Sequence, residues 1–255
     1  MRVKRTRRIR CLGALIGTLK GVMFAALAVS PATFTPALWA QTPAAAAGAR
    51  IPDLTGIWSA DFTMFGGRFT RDDAPLQPQA LEIFRRNRAG LSFTETGLDP
   101  LDPLTYCYPI GAVRQMLLRQ FELVQAPREV LLLHEFNSEV RRIYLDGRQH
   151  PDGWPFGWMG HSVGRYDGDS LVVDSAGFND KTWFDRAGTP HSDALHVVER
   201  FRRPSRETLA VEFRFEDPKT FTRPWTASRT YELRPDLEVL EHVTCEEFLR
   251  IGNSR

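Results

Sequence analysis

Glu207-Thr208-Leu209-Ala210-Val211-Glu212-Phe213-Arg214-Phe215-Glu216 alternates with a period of two, which predicts a strand over 207–216. Leu209, Val211, Phe213 and Phe215 point one way, and Glu212, Arg214 and Glu216 the other, the pattern of a strand with one buried face. Working outward, further strands are predicted at 119–125, 128–136, 138–145, 160–166, 169–175, 194–202, 225–234 and 237–247, with a first strand from Thr55 to Phe62. Asp146-Gly147 and Asp167-Gly168 read as tight hairpin turns. Short connections without intervening helices imply antiparallel pairing. One short N-terminal helix is predicted over Gln77 to Arg88, with Leu81, Phe84 and Arg88 in one row. The fold class is therefore mainly β: an antiparallel up-and-down barrel of about ten strands, closed because closure removes exposed edges, with an open sandwich as the alternative.

The charge is distributed unevenly. The 255 residues carry 33 Lys+Arg and 31 Asp+Glu, a formal net charge of +2. Residues 1–40 hold seven of the basic residues and no acid, so 41–255 have 26 basic against 31 acidic residues, a net charge of −5. That balance gives the working domain no electrostatic drive toward nucleic acid or an anionic membrane. The basic start, the apolar stretch interrupted by Lys20 and the small-residue exit at Ala40 form the layout of a signal peptide. Thr6 to Leu12 resembles a twin-arginine export motif, except that Arg10 stands where an apolar residue is expected. An uncleaved anchor is the competing reading, and Lys20 shortens the uncharged run it needs. The expected organisation is a signal peptide at 1–40, a disordered Ala-rich tether at 41–50 and a single β-barrel domain at 51–255, located in the periplasm or secreted. Only Cys107 and Cys245 remain after cleavage. In an oxidising compartment they permit one disulfide, whose loop closure would be worth roughly 4–5 kcal/mol; two buried thiols are the alternative.

Chemistry concentrates between His150 and Arg203. Four of the six histidines fall there, with Trp154, Trp158, Trp183, Asp174, Asp180, Asp185 and Asp193, much of it in long loops. Aromatic walls with a few imidazoles and carboxylates are the usual make-up of a small-molecule pocket, and such walls shift pKa values toward those useful in proton transfer. On the strand at 194–202, Leu195, Val197, Glu199 and Phe201 share one face and His196, Val198 and Arg200 the other, so either orientation sends an ionisable group inward. Arg141-Arg142 likewise puts one arginine on each face, and an inward Arg142 beside Tyr144 would hold a substrate oxygen or pair with Glu199. His161, His191 and His196 with a carboxylate form a possible metal set, though no short ligand spacing supports it. There is no Gly-x-Ser-x-Gly elbow, phosphate-binding glycine loop or dinucleotide fingerprint.

Two resemblances add to this reading. Asp53-Leu54-Thr55-Gly56-Ile57-Trp58 resembles the first-strand Gly-x-Trp feature of lipocalin and calycin barrels. Stretches 141–148, 160–174, 177–183 and 191–201 resemble a family of uncharacterised exported bacterial proteins. That resemblance supplies no reaction; it implies that the polar positions of 141–201 belong to one constellation.

The resulting expectation is an exported small-molecule enzyme doing general acid/base chemistry as an isomerase, dehydratase or lyase on a partly apolar, aromatic or hydroxylated compound, with no organic cofactor. His161 and His196 would transfer protons, Asp180 or Glu199 would orient an imidazole or act as base, and Arg142 and Tyr144 would hold an oxyanion. Trp158, Trp183 and His191 would line the substrate site. The partners are then a small-molecule substrate or ligand, with no nucleic acid and no membrane after signal cleavage; oligomeric state is not legible. A non-catalytic periplasmic carrier and a metal-dependent hydrolase are the alternatives.

Overall fold

Nine strands close into a barrel in sequence order: β1 Gly56–Ser59, β2 Phe121–Ala126, β3 Glu129–His134, β4 Val140–Tyr144, β5 His161–Asp167, β6 Ser170–Ala176, β7 His196–Ser205, β8 Thr208–Glu216 and β9 Trp225–Leu233. The computed structural model describes residues 51–61, 64–89, 101–153 and 155–241. Its mainly β, closed form is consistent with a calycin-like barrel. The expected signal peptide, the tether, Cys245 and Trp154 lie outside the described residues.

Closure occurs where β1 meets β9, through Trp58↔Leu233 and Ser59↔Glu232. A ring of nine strands cannot be antiparallel throughout, because direction must reverse an even number of times on going round. The one parallel seam is β4–β5, with Ile143↔Ser162 and Tyr144↔Val163. Asp146-Gly147 is consequently no hairpin turn. It begins a crossover through 145–160 that carries the chain back alongside β4, as parallel neighbours require. Asp167-Gly168 does turn the β5–β6 hairpin, with Gly168 at φ 61°. β9 pairs with β8 along its length on one side and with β1 at Leu233 and Glu232 on the other. Residues 237–241 are not strand, and 242–247 lie outside the described residues.

The inward rows are those that alternation picks out. Leu209, Val211, Phe213 and Phe215 are buried with Val197, Phe201, Leu171, Val173, Leu132 and Phe121. Trp58 is fully buried, donates Nε1–H to the Leu54 carbonyl at 2.9 Å, and lies under the Arg203 guanidinium at 5.1 Å. The Gly-x-Trp feature has a steric cause: Gly56 takes φ 147°, and a Cβ there would lie 2.6 Å from Leu233.

One end of the barrel is covered by helix α2, Ala112–Gln115, and by loops that bring Phe69, Phe184, Phe221 and Trp225 onto Phe215. Helix α1, Pro78–Ala89, buries Ala80, Phe84 and Asn87, a row shifted by one position from the expected Leu81 row.

Candidate functional site

The β5–β6 hairpin pairs Val163 with Asp174, and β6 pairs Asp174 with Val198. Diagonal neighbours on one sheet face lie within side-chain reach. Ser162, Ser175 and Val197 point inward, so His161, Asp174 and His196 project from the outer face, where the crossover adds His150.

These four side chains form a continuous chain. Asp174 Oδ1 accepts from His196 Nε2 at 2.8 Å and from His150 Nε2 at 2.9 Å. His150 Nδ1 meets His161 Nδ1 at 2.8 Å. The His161 ring stacks on Tyr144 with centroids 5.4 Å apart, and the Arg148 guanidinium lies 3.8 Å from the Tyr144 ring centre. Arg148 is held by Asp146. His150, Asp174 and His196 are half-buried, while His161 lies beneath them, only 4% exposed.

The electrostatics separate the two outer members of the chain. The hydrogen bond from Asp174 raises the pKa of His196 above its ordinary value, against the opposing effect of burial. Burial lowers that of His161, assisted by the nearby charges of His150 and Arg148. Burial alone would raise Asp174, but the hydrogen bonds and charges of His196 and His150 outweigh it and hold the carboxyl below its usual range. In the His150–His161 contact one Nδ1 donates and the other accepts. A protonated His196 keeps a second proton on Nδ1. The chain thus ends in one imidazole that favours the charged form, His196, and one that favours the neutral form, His161, the arrangement an acid and a base require.

The structure brings together only part of the expected constellation. His161, His196 and Tyr144 share the site. Glu199 does not: it is on the inner face of β7, where Arg141 binds it bidentately, with NH1–Oε1 at 2.9 Å. The inward arginine of β4 is therefore Arg141 and not Arg142, because β4 buries Arg141 and Ile143 and exposes Val140 and Arg142. Arg141 also donates to Ser162 and Ser175, which bond to each other at 2.8 Å, so the pair is a fully hydrogen-bonded strut through the core. Arg142 lies outside, 3.3 Å from Glu129.

Asp180 is exposed, and its charge acts on His191 and Lys219. His191 is buried at the end of the barrel covered by α2, with Nε2 2.6 Å from Thr182 Oγ1 and Nδ1 3.3 Å from the Ser192 carbonyl. Burial lowers its pKa. Trp158 stacks near Tyr108, with centroids 5.2 Å apart, and Trp183 lies 5.9 Å from the Arg114 guanidinium; neither contacts the histidine chain among the described residues. The three imidazoles of the possible metal set do not converge, and among the described residues no group of three His, Cys, Asp or Glu is arranged to hold a metal ion.

Asp174, His150 and Arg148 were not singled out by sequence reading. A signal for Asp174 existed: the Asp167-Gly168 turn fixes the hairpin register and puts it diagonal to His161. No comparable signal existed for His150 and Arg148, which reach the site through an irregular crossover. No protein-family model, curated protein or solved structure matches this chain.

Proposed function

We propose that this is an exported enzyme, related to the bacterial family it resembles, whose outer-face histidine chain carries out cofactor-independent proton transfer on a small, partly apolar, aromatic or hydroxylated compound. The observation that carries this reading is the double hydrogen bond to Asp174 Oδ1 from two imidazoles, one of them coupled to a third. A half-exposed carboxylate gains little stability from such pairing.

In this reading His196 acts as general acid and His161 as general base. Asp174 orients both, directly and through His150. Tyr144, with Arg148 against its ring, positions an oxygen of the substrate. Isomerisation, dehydration and elimination each need one proton removed and one delivered, which such a pair supplies; positioned acid/base groups contribute about 10²–10⁴-fold in rate. Export would leave a mature chain starting near Gln41, and its intact mass with and without reduction tells a Cys107–Cys245 bridge from two thiols.

The test is a panel of aromatic and hydroxylated compounds incubated with the mature protein in deuterated buffer, with exchange at carbon followed by NMR. Exchange or turnover that falls about 10²-fold or more in Asp174→Asn and His161→Ala supports the proposal. Binding without exchange, unchanged in both variants, would establish a carrier instead.

A further inference from the structure

We propose a second site, inside the barrel: Arg229 is the anchor for a small organic carboxylate with an apolar body. Arg229 belongs to the inward row of β9, between Ala227 and Tyr231, and is 3% exposed. Among the described residues its Nε, NH1 and NH2 have no hydrogen-bond partner. The other buried arginines differ in this respect. Arg114 is held bidentately by Asp102, and Arg141 by Glu199.

An unpaired guanidinium is among the most unfavourable groups to bury, and it stays charged where a lysine would deprotonate. Its planar fork matches a carboxylate bidentately. The interior groups nearest in kind cannot neutralise it. Glu199 is committed to Arg141. Tyr231 gives its hydroxyl proton to the Met116 carbonyl at 2.8 Å, and burial pushes its pKa far above the ordinary value, so it is a neutral phenol. Asp61 is close enough to act on Arg229 electrostatically but is exposed and forms no hydrogen bond to it.

The surroundings set the rest of the ligand. Val211 lies directly opposite Arg229 in the β8–β9 ladder, with Phe213 and Leu209 opposite its row neighbours Ala227 and Tyr231, all of them buried and inward. One charged group among apolar side chains selects a monocarboxylate with a hydrocarbon or aromatic body over a polyanion.

The site is distinct from the histidine chain and stands without it. The experiment is thermal unfolding of the mature protein with benzoate, phenylacetate and hexanoate, each against its neutral amide. The carboxylates should raise Tm with concentration and the amides should not. Arg229→Met should abolish the shift and melt higher than wild type without ligand, since it removes an uncompensated buried charge. Should that variant fail to fold, Arg229→Lys should bind at least tenfold more weakly. Asp174→Asn should keep the full shift, which separates this site from the outer one. The proposal is overturned if wild type shows no carboxylate-specific shift, if Arg229→Met or Arg229→Lys binds as wild type does, or if Arg229→Met melts lower than wild type.

Discussion

Asp174 works through geometry that two strand pairings impose on it: β5 on one side brings His161, and β7 on the other brings His196. The sign of its pH dependence follows. Asp174 has a lowered folded pKa, so its contribution is present above its ordinary carboxylate pKa and is lost as pH falls through the lowered value. His196 is raised, so its contribution is complete below its unfolded pKa and is lost as pH rises through the raised value. The bond is strongest between about pH 4 and pH 6.5. His134 has the opposite effect from inside the barrel. It is 3% exposed, and burial and then the Arg141 charge lower its pKa to about 3. Between that value and its unfolded pKa the unfolded chain binds a proton that the folded one excludes, so stability drops as pH falls through this range, by ~5 kcal/mol. Urea unfolding as a function of pH should show this loss in wild type and a much flatter profile in His134→Gln; equal slopes would remove His134 from the account.

At the scale of elements, the parallel β4–β5 seam accounts for what differs from a simple meander. It places the crossover over the outer face and so delivers His150 and Arg148 to His161. It also requires close approach: a Cβ on Gly164 would lie 2.7 Å from Ile143 Cγ2 and 3.1 Å from Leu145 Cδ2. Gly164→Ala should therefore cost about 1–3 kcal/mol in denaturant unfolding, since a β-branched neighbour in a packed wall yields little. A loss under 0.5 kcal/mol, near the level of ordinary surface changes, would show that this seam is loose. Alternation in Leu209–Phe215 and the Asp167-Gly168 turn made most strands and one hairpin legible in the sequence. The parallel seam was not, because Asp146-Gly147 has hairpin chemistry and only the parity of the closed ring shows that it cannot act as one. The site was half legible for the same reason. His161 and His196 stand on regular strands, whereas Arg141 and Arg142 are adjacent and differ only by which one the register turns inward.

Across the whole molecule, the sheet separates two kinds of polar chemistry. Outside is the half-exposed histidine chain. Inside are buried charges, and the Arg141–Glu199 pair joins β4 to β7 through the core. Removing one partner of such a pair leaves the other charge stranded. Glu199→Leu should cost about 3–5 kcal/mol, and Arg141→Met/Glu199→Leu should recover most of it. Recovery in the double variant with proton-transfer chemistry intact would place Glu199 in the scaffold; loss of that chemistry in a folded double variant would return it to the site. The central claim is that the chain through Asp174 ends in one imidazole that favours the charged form, His196, and one that favours the neutral form, His161, and NMR titration of the histidine rings reads it directly. In wild type His196 should titrate above and His161 below an ordinary histidine, and Asp174→Asn should bring His196 down. Two rings titrating together near the ordinary value, or a His196 unmoved by Asp174→Asn, would contradict it.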